Sequence, residues 1–181
     1  MARLQIPKTS PIVAETCKTA GITLRKFRKP AEFEKEVVTY IQKNDIVHLA
    51  TSKADVPRCT PLGYRNVGTT LYILCEGGGK FANLRANTKV CYSIASRVKG
   101  RRGLTSVRGL QCWGDAEVIS MRENPREFGK LISLWSIGEQ FKKKGPQALP
   151  PFHYRIIKIV PHRMRMLNLH EGINNVTWTR R

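Results

Sequence analysis

Acidic side chains are scarce in this sequence. Its 181 residues contain 13 aspartates and glutamates against 32 lysines and arginines, which gives a formal net charge of +19 with histidine neutral. Such an excess points to an anionic partner, which could be nucleic acid, an acidic membrane surface or a phosphorylated small molecule. Much of it lies in three clusters, at residues 25–29, 97–102 and 142–144. One bound phosphate does not account for it.

Long apolar runs are also missing. No stretch reaches 18 apolar residues, and the N-terminus has no apolar segment of secretory length. The odd number of cysteines cannot all be bridged within one chain, and no CxxC pair occurs among Cys17, Cys59, Cys75, Cys91 and Cys112. We therefore expect buried thiols in a reducing compartment and a cytoplasmic protein without a membrane segment.

Several catalytic and metal-binding patterns do not occur. The chain has no GxSxG elbow and no HxxxH or HExxH spacing, so neither a serine hydrolase nor a metal site is predicted. Its clustered carboxylates, at residues 32–36 and 123–127, stand where helices are expected to begin. Helix capping explains them better than acid–base catalysis does.

The composition is that of a packed globular protein. With 41% hydrophobic residues, a chain of this length buries most of its unfolded surface without a disulfide or a metal. Residues 1–29 lack sustained periodicity, and we treat them as an N-terminal extension that wraps or frays. Residues 30–181 are predicted to form a single domain.

Apolar periodicity predicts the order of elements in that domain. Helices are expected over 30–44, 80–86 and 124–144, and strands over 46–52, 57–65, 70–76, 89–97, 107–121 and once or twice within 152–169. A basic loop and a proline-rich connector separate the later elements. Short strands close together in sequence favour a mainly β fold with peripheral helices (α+β), an antiparallel and Greek-key-like barrel, over a parallel α/β sheet.

The segment GGGKFANLRAN at residues 77–87 is the strongest anion-binding candidate. A Walker loop needs GxxxxGK followed by Ser or Thr, whereas Phe81 follows Lys80 here, so a P-loop NTPase is not predicted. Glycines still let backbone N–H groups approach an anion, Lys80 adds a charge, and a helix beginning there favours negative charge. A flexible loop ending in a solvated lysine is the alternative for this segment alone.

The succession IVHLAT, PRCTPLGYR, TTLYILCE, KFANLRANTKVCYSI and VRGLQCWGDAEVI resembles a known family. It is similar to the split β-barrel family, binding flavin mononucleotide (FMN), that is related to pyridoxamine 5′-phosphate oxidase. The resemblance covers about residues 31–165, and its best mark is the run of Lys80, Asn83, Leu84 and Asn87. It implies a split antiparallel barrel, an FMN cofactor, and a homodimer with the cofactor at the subunit interface.

The resemblance also implies a set of cofactor-binding residues on three strands and one helix: Arg58, Cys59, Thr60, Pro61, Leu62, Ile73, Leu74, Lys80, Asn83, Gln111 and Trp113. Arg58 and Lys80 would hold the 5′-phosphate, and Asn83 would hydrogen-bond the same region. Gln111 and Trp113 would reach the flavin of the partner subunit. The resemblance therefore implies an oxidoreductase that passes electrons or a hydride between FMN and a small molecule, with its catalytic residues unassigned.

The chain departs from the vitamin-processing oxidase at several positions. Gly79 stands where that enzyme has an arginine before the phosphate lysine, Gly63 replaces a substrate-binding lysine, and Gly109 replaces a glutamine. The C-terminal substrate-binding segment is not recognisable, although Trp178 and Arg180 resemble its tryptophan-containing end. Oxidation of pyridoxamine phosphate itself is therefore not expected.

Two alternatives remain open. A haem or a deazaflavin could replace FMN, and a haem ligand would come from His153, His162 or His170. A protein that binds nucleic acid without catalysis could use the basic residues 97–102 and 24–29, with an affinity that falls steeply with salt. No interleaved aromatic platform supports nucleic-acid binding in the sequence.

Overall fold

The computed structural model describes residues 1–96, 103, 106–145 and 153–180. Within them the chain forms nine strands: β1 Ala2–Gln5, β2 Ile46–Lys53, β3 Val56–Gly63, β4 Arg65–Val67, β5 Thr70–Cys75, β6 Lys89–Ala95, β7 Arg108–Ser120, β8 Arg155–Asn168 and β9 Ile173–Arg180. The α-helices are α1 Pro11–Thr19, α2 Pro30–Gln42, α3 Lys80–Ala86, α4 Pro125–Leu131 and α5 Ile137–Lys144. The basic loop 97–102 and most of the proline-rich connector lie outside the described residues.

The nine strands form one antiparallel sheet. Its order is β1–β9–β8–β7–β6–β2–β3, while β5 pairs with both β8 and β4. The helices lie at the periphery of this sheet, so the predicted class, mainly β with peripheral helices, is confirmed.

Strand β8 divides one of its edges between two neighbours. Residues 155–159 pair with β5 and residues 163–168 pair with β9, while the other edge pairs with β7 along its length. Pro161 lies at the division, where its missing N–H removes no bond to β5 or β9. Opposite it, a Cβ on Gly114 would lie 2.6 Å from the Val160 carbonyl oxygen, so the irregular register there requires glycine.

The chain bends at Tyr64, between β3 and β4. β3 pairs with β2 and β4 pairs with β5, and in the described part no ladder joins β3 to β5. The strands therefore form a ring that is continuous along the chain from β3 to β4 but has no hydrogen-bonded ladder between β3 and β5. Such an incompletely closed ring is a split barrel. The Tyr64 hydroxyl fixes the bend by donating to the Ile41 carbonyl at 2.6 Å. The single strand predicted over 57–65 is thus two strands.

Two apolar clusters lie on opposite sides of the sheet. The larger one fills the ring and is covered by α2, whose Phe33, Val37 and Ile41 are fully buried, as the periodicity predicted. The smaller one packs α4 and the 3₁₀ turn that follows it against the sheet, through Phe128 and Ile132. The helix predicted over 124–144 is interrupted by a 3₁₀ turn and by Trp135, whose backbone is extended.

The N-terminal segment is docked on the sheet. β1 pairs with β9, the Arg25 amide donates to the Gly172 carbonyl at 2.8 Å, and Phe27 meets Phe33 edge to face at 5.4 Å. Proline and glycine obscured β1 and α1 in the sequence, and β9 was not predicted either. The division of the chain at residue 30 stays a prediction.

Candidate functional site

Helix α3 and the glycine turn before it form one end of the candidate site. Gly78 has a φ of 106°, a conformation that favours glycine, and it turns the chain from β5 into α3. Phe81 and Leu84 anchor the helix in the core. Two amides tie it to β2: Asn83 Nδ2 donates to Thr51 Oγ1 at 3.1 Å, and Asn87 Nδ2 donates to Ser52 Oγ at 3.2 Å. The position of Lys80 is thereby set by the sheet.

Arg58 approaches this turn from β3. A Cβ on Gly79 would lie only 2.9 Å from Arg58 Nη2, so the guanidinium occupies the space that a side chain at residue 79 would need. The φ of Gly79 is −60°, so the backbone conformation does not require glycine there. Arg58 thus places a positive charge where the vitamin-processing oxidase has the arginine that Gly79 replaces. We call Arg58, Gly79, Lys80 and Asn83 the cationic corner.

The ammonium group of Lys80 is buried without an acidic partner. The residue is 7% exposed, its Nζ donates to the Gly77 carbonyl, and it lies 5.0 Å from the centre of the Phe81 ring. No carboxylate in the described residues forms an ion pair with it. Burial raises the pKa of the neighbouring Cys75 thiol to about 11, against the lowering effect of Lys80 and Arg155, so this thiol stays neutral at pH 7. The corner therefore holds uncompensated positive charge.

The predicted residues on β3 and β5 do not all face this corner. Along β3, Arg58 pairs with the buried Thr51, and Thr60 and Leu62 follow it on the same, inner face. Cys59 and Pro61 face outward. On β5, the Ile73 side chain is fully buried in the core, while Leu74 packs on the opposite side in the smaller cluster. The side chains of Ile73 and Leu74 therefore lie on opposite faces of β5.

The outward positions form a second surface, the outer face. Directly paired residues share a face of a sheet. One row across it is Cys59, Ala50, Cys91 and Trp113, and the next is Pro61, His48, Ser93 and Gln111. Three strand spacings, about 14 Å, separate the first and last members of each row. Gln111 and Trp113 therefore do not meet the cationic corner of their own chain.

Two cysteines differ from the expectation of buried thiols. Cys17 and Cys112 are buried, but Cys59 and Cys91 are exposed. Both occupy outward positions, Cys59 on β3 and Cys91 on β6, and the inward residues next to Cys91 are the buried Val90 and Tyr92. An apolar neighbourhood in the sequence does not reveal which of the two faces is buried.

The structure places some of the residues named for the alternative sites. Among the residues described, no three His, Cys, Asp or Glu side chains come close enough together to hold a metal ion. His162 lies 3.6 Å from an Asp115 oxygen. In the basic arm, Arg25 is bound to Glu36 at 2.8 Å and stacks on Phe27. Residues 97–102, the other predicted nucleic-acid contact, lie outside the described part.

Thr51 is a site residue that sequence reasoning missed. It is 3% exposed, stands opposite Arg58 and accepts a hydrogen bond from Asn83. The only signal for it was a polar residue at an inward position of a predicted strand.

Membrane-spanning helices are absent from the described ranges, where every helix is too short or too polar for that role.

The open ring and the shared strand define the class: this is a split-barrel protein. The sequence matches the family model described as pyridoxamine 5′-phosphate oxidase over residues 33–168. The chain therefore belongs to the pyridoxamine 5′-phosphate oxidase family, as its motifs predicted. No curated protein matches the sequence.

Solved structures share this fold at low sequence identity. A Listeria innocua protein provisionally described as pyridoxamine 5′-phosphate oxidase is 22% identical, with 75% of this chain and 98% of that chain covered and a TM-score of 0.55. General stress protein 26 of Bacillus anthracis strain Sterne is 18% identical, with 75% and 93% covered and a TM-score of 0.55. An FAD-binding protein of Mesorhizobium loti is 18% identical, with 80% and 91% covered and a TM-score of 0.54.

Proposed function

We propose that the protein binds FMN at the cationic corner and acts as an oxidoreductase, passing electrons or a hydride between FMN and a small molecule. The buried, uncompensated ammonium of Lys80 carries this proposal, because buried charges in proteins are ordinarily paired. A phosphate dianion is the partner that fits an ammonium and a guanidinium. Family membership and the FAD-binding relative support a flavin as its carrier.

Each residue of the corner has a defined task in this proposal. Lys80 and Arg58 neutralise the phosphate, and Thr51 orients Asn83 toward it. The inner face of β3, with Thr60 and Leu62, borders the ring system. The flavin supplies the redox chemistry, and the protein supplies binding, orientation and positive potential.

The working form is proposed to be a homodimer. The outer face carries Gln111 and Trp113 too far from the cationic corner of their own chain, so a second copy must bring them to a flavin. Trp113 is held in place by Arg163, whose Cζ lies 4.8 Å from the ring centre. The free thiols favour a reducing compartment such as the cytoplasm for this dimer.

Comparing FMN with riboflavin tests the proposal, since only FMN carries the phosphate. We expect the purified protein to bind FMN more tightly, as followed by quenching of flavin fluorescence. Lys80→Gln keeps a donor for the Gly77 carbonyl but removes the charge. It is expected to weaken FMN binding by roughly tenfold to a hundredfold and to leave riboflavin binding unchanged.

Lys43→Gln is the matched control, because it removes one exposed positive charge at the end of α2. It should bind both flavins as the wild type does. Equal affinity for FMN and riboflavin in the wild type would overturn the role of the corner. If the protein takes up no flavin but gives a Soret band when it is reconstituted with haem, its cofactor is haem and not FMN. A deazaflavin shares the phosphate and would be separated by its own absorbance spectrum.

A further inference from the structure

A basic pocket lies next to the cationic corner, and Phe81 stands between the two. It has a volume of about 440 Å³ and is formed where β7 ends, β8 begins and α3 passes. Three arginines line it: Arg85 of α3, Arg122 after β7, and Arg155 at the start of β8. We call this the arginine pocket.

The charges of the arginine pocket are not balanced. Within the described residues, none of the three arginines forms an ion pair or a hydrogen bond with a carboxylate. Glu123 is the acidic residue of the lining, and it is bound to Ser120, accepting from its hydroxyl at 3.1 Å. His153 adds a further nitrogen donor or acceptor. An anion entering the pocket therefore meets three guanidinium groups and little competition.

The pocket also has a fixed charge and an apolar wall. Arg155 is half-buried, and its Cζ lies 4.6 Å from the centre of the Phe81 ring, so the guanidinium is held by stacking. Val118 and Met121 complete a surface without charge beside it. Planar guanidinium groups bind phosphate and carboxylate through two parallel hydrogen bonds. The combination suits an organic anion better than a bare inorganic ion.

We propose that the arginine pocket binds a second phosphate or carboxylate group, carried by a molecule with an apolar or aromatic body. Phe81 contacts both Lys80 and Arg155, so the pocket and the cationic corner adjoin. Two sources of this group are compared: the distal part of a cofactor larger than FMN, and a separate ligand that binds the pocket with or without FMN. The first source rests on the proposed function, and the second does not.

Adenosine monophosphate (AMP) and FAD are the probes that separate these sources. AMP is titrated calorimetrically into protein saturated with FMN, and the affinities of FAD and FMN for the free protein are compared. The variant is Arg85→Gln/Arg122→Gln, which spares Arg155 and changes only exposed side chains. Its control, Arg3→Gln/Arg28→Gln, removes the same charge near β1 and α2, away from the pocket.

A cofactor extension predicts that FAD binds at least tenfold more tightly than FMN and that the pocket variant, but not the control, loses this advantage. A separate ligand predicts AMP binding to the FMN-saturated protein, weakened at least tenfold by the same variant. The inference is overturned if FAD and FMN bind equally and AMP does not bind, or if the pocket variant behaves like the control.

The two proposals fail in distinguishable ways. If the protein takes up no flavin, AMP is titrated into the free protein instead. Loss of AMP binding in the pocket variant then upholds the arginine pocket while the flavin proposal fails. Loss in Lys80→Gln with retention in the pocket variant assigns the phosphate to the cationic corner and overturns the inference.

Discussion

Gly79 is the residue at which this chain departs most informatively from its family. A glycine in place of a cation first suggests a weaker phosphate site, yet the arginine of β3 lies in the space above it. A positive charge is therefore present at this position, supplied by Arg58 of β3 and not by residue 79 itself. A substitution at residue 79 therefore tests Arg58 without removing it.

Gly79→Ala is predicted to weaken FMN binding by roughly tenfold, because a Cβ at 2.9 Å from Nη2 forces the guanidinium to move. The free energy of unfolding should change by less than about 1 kcal/mol, since an alanine accepts a φ of −60° and a flexible side chain yields. Flavin titration and chemical denaturation measure the two effects. Gly77→Ala, which meets open space, is the control and should change neither.

An unchanged FMN affinity in Gly79→Ala would remove Arg58 from the phosphate site. A large loss of stability instead would mean that Arg58 is held rigidly by the fold. The two outcomes are separated because affinity and stability are measured independently.

The structure brings the charged candidate residues together more closely than the apolar ones. Lys80 was a candidate because of its glycine-rich turn, Arg58 followed from the family resemblance, and the structure brings both to the cationic corner. Ile73 could not be placed, because alternation along a strand gives two faces without saying which is the core. Thr51 was missed since its role depends on Asn83, a residue 32 positions away.

The N-terminal segment and α2 are the elements joined by the Arg25–Glu36 ion pair, at 2.8 Å. The hydrogen bond from Arg25 lowers the pKa of Glu36 below its ordinary value of 4.5. A carboxyl whose pKa is lower in the folded protein adds stability above its unfolded pKa and loses it as the pH falls through the folded pKa. The segment should therefore loosen in acid.

Glu36→Gln is predicted to cost about 0.2–1 kcal/mol at pH 6, as expected for a partly exposed ion pair. The difference from the wild type should vanish at a pH well below 4.5, where the wild-type carboxyl is protonated as well. Thermal unfolding at the two pH values checks this. Glu15→Gln, on α1 and without an ion pair in the described residues, should show no such pH-dependent difference.

The elements themselves were mostly predictable, and the exceptions share a cause. The β2, β5, α3 and β7 boundaries follow from periodicity and glycine positions. The break at Tyr64 and the interruption of the helix at Trp135 are set by tertiary contacts, which local periodicity does not report. β1 and β9 were missed because β1 pairs only with β9, at the other end of the chain, and β9 lies between β1 and β8, so neither shows in local periodicity.

At the scale of the whole molecule, the outer face decides whether the site is complete. Ala50 lies at the middle of the row that joins Cys59 to Cys91, where the proposed dimer would bury a charge. The wild type is predicted to sediment at twice its chain mass of 20.6 kDa. Ala50→Glu should sediment as a single chain and bind FMN at least tenfold more weakly, because Gln111 and Trp113 of the second copy are lost.

Gln42→Glu adds the same negative charge on the exposed end of α2, and it should remain dimeric with normal FMN binding. Analytical ultracentrifugation over a range of concentrations distinguishes the two variants. A wild-type chain that binds FMN as a monomer would refute the shared site.

The buried ammonium of Lys80 has a consequence for how this protein is handled. A ligand that binds only the folded chain raises the free energy of unfolding by RT ln(1 + [L]/Kd). If the cationic corner binds phosphate as proposed, phosphate or sulfate in a storage buffer is expected to act as such a ligand. The melting temperature is then expected to rise with the phosphate or sulfate concentration, so melting temperatures should be compared only at the same anion concentration.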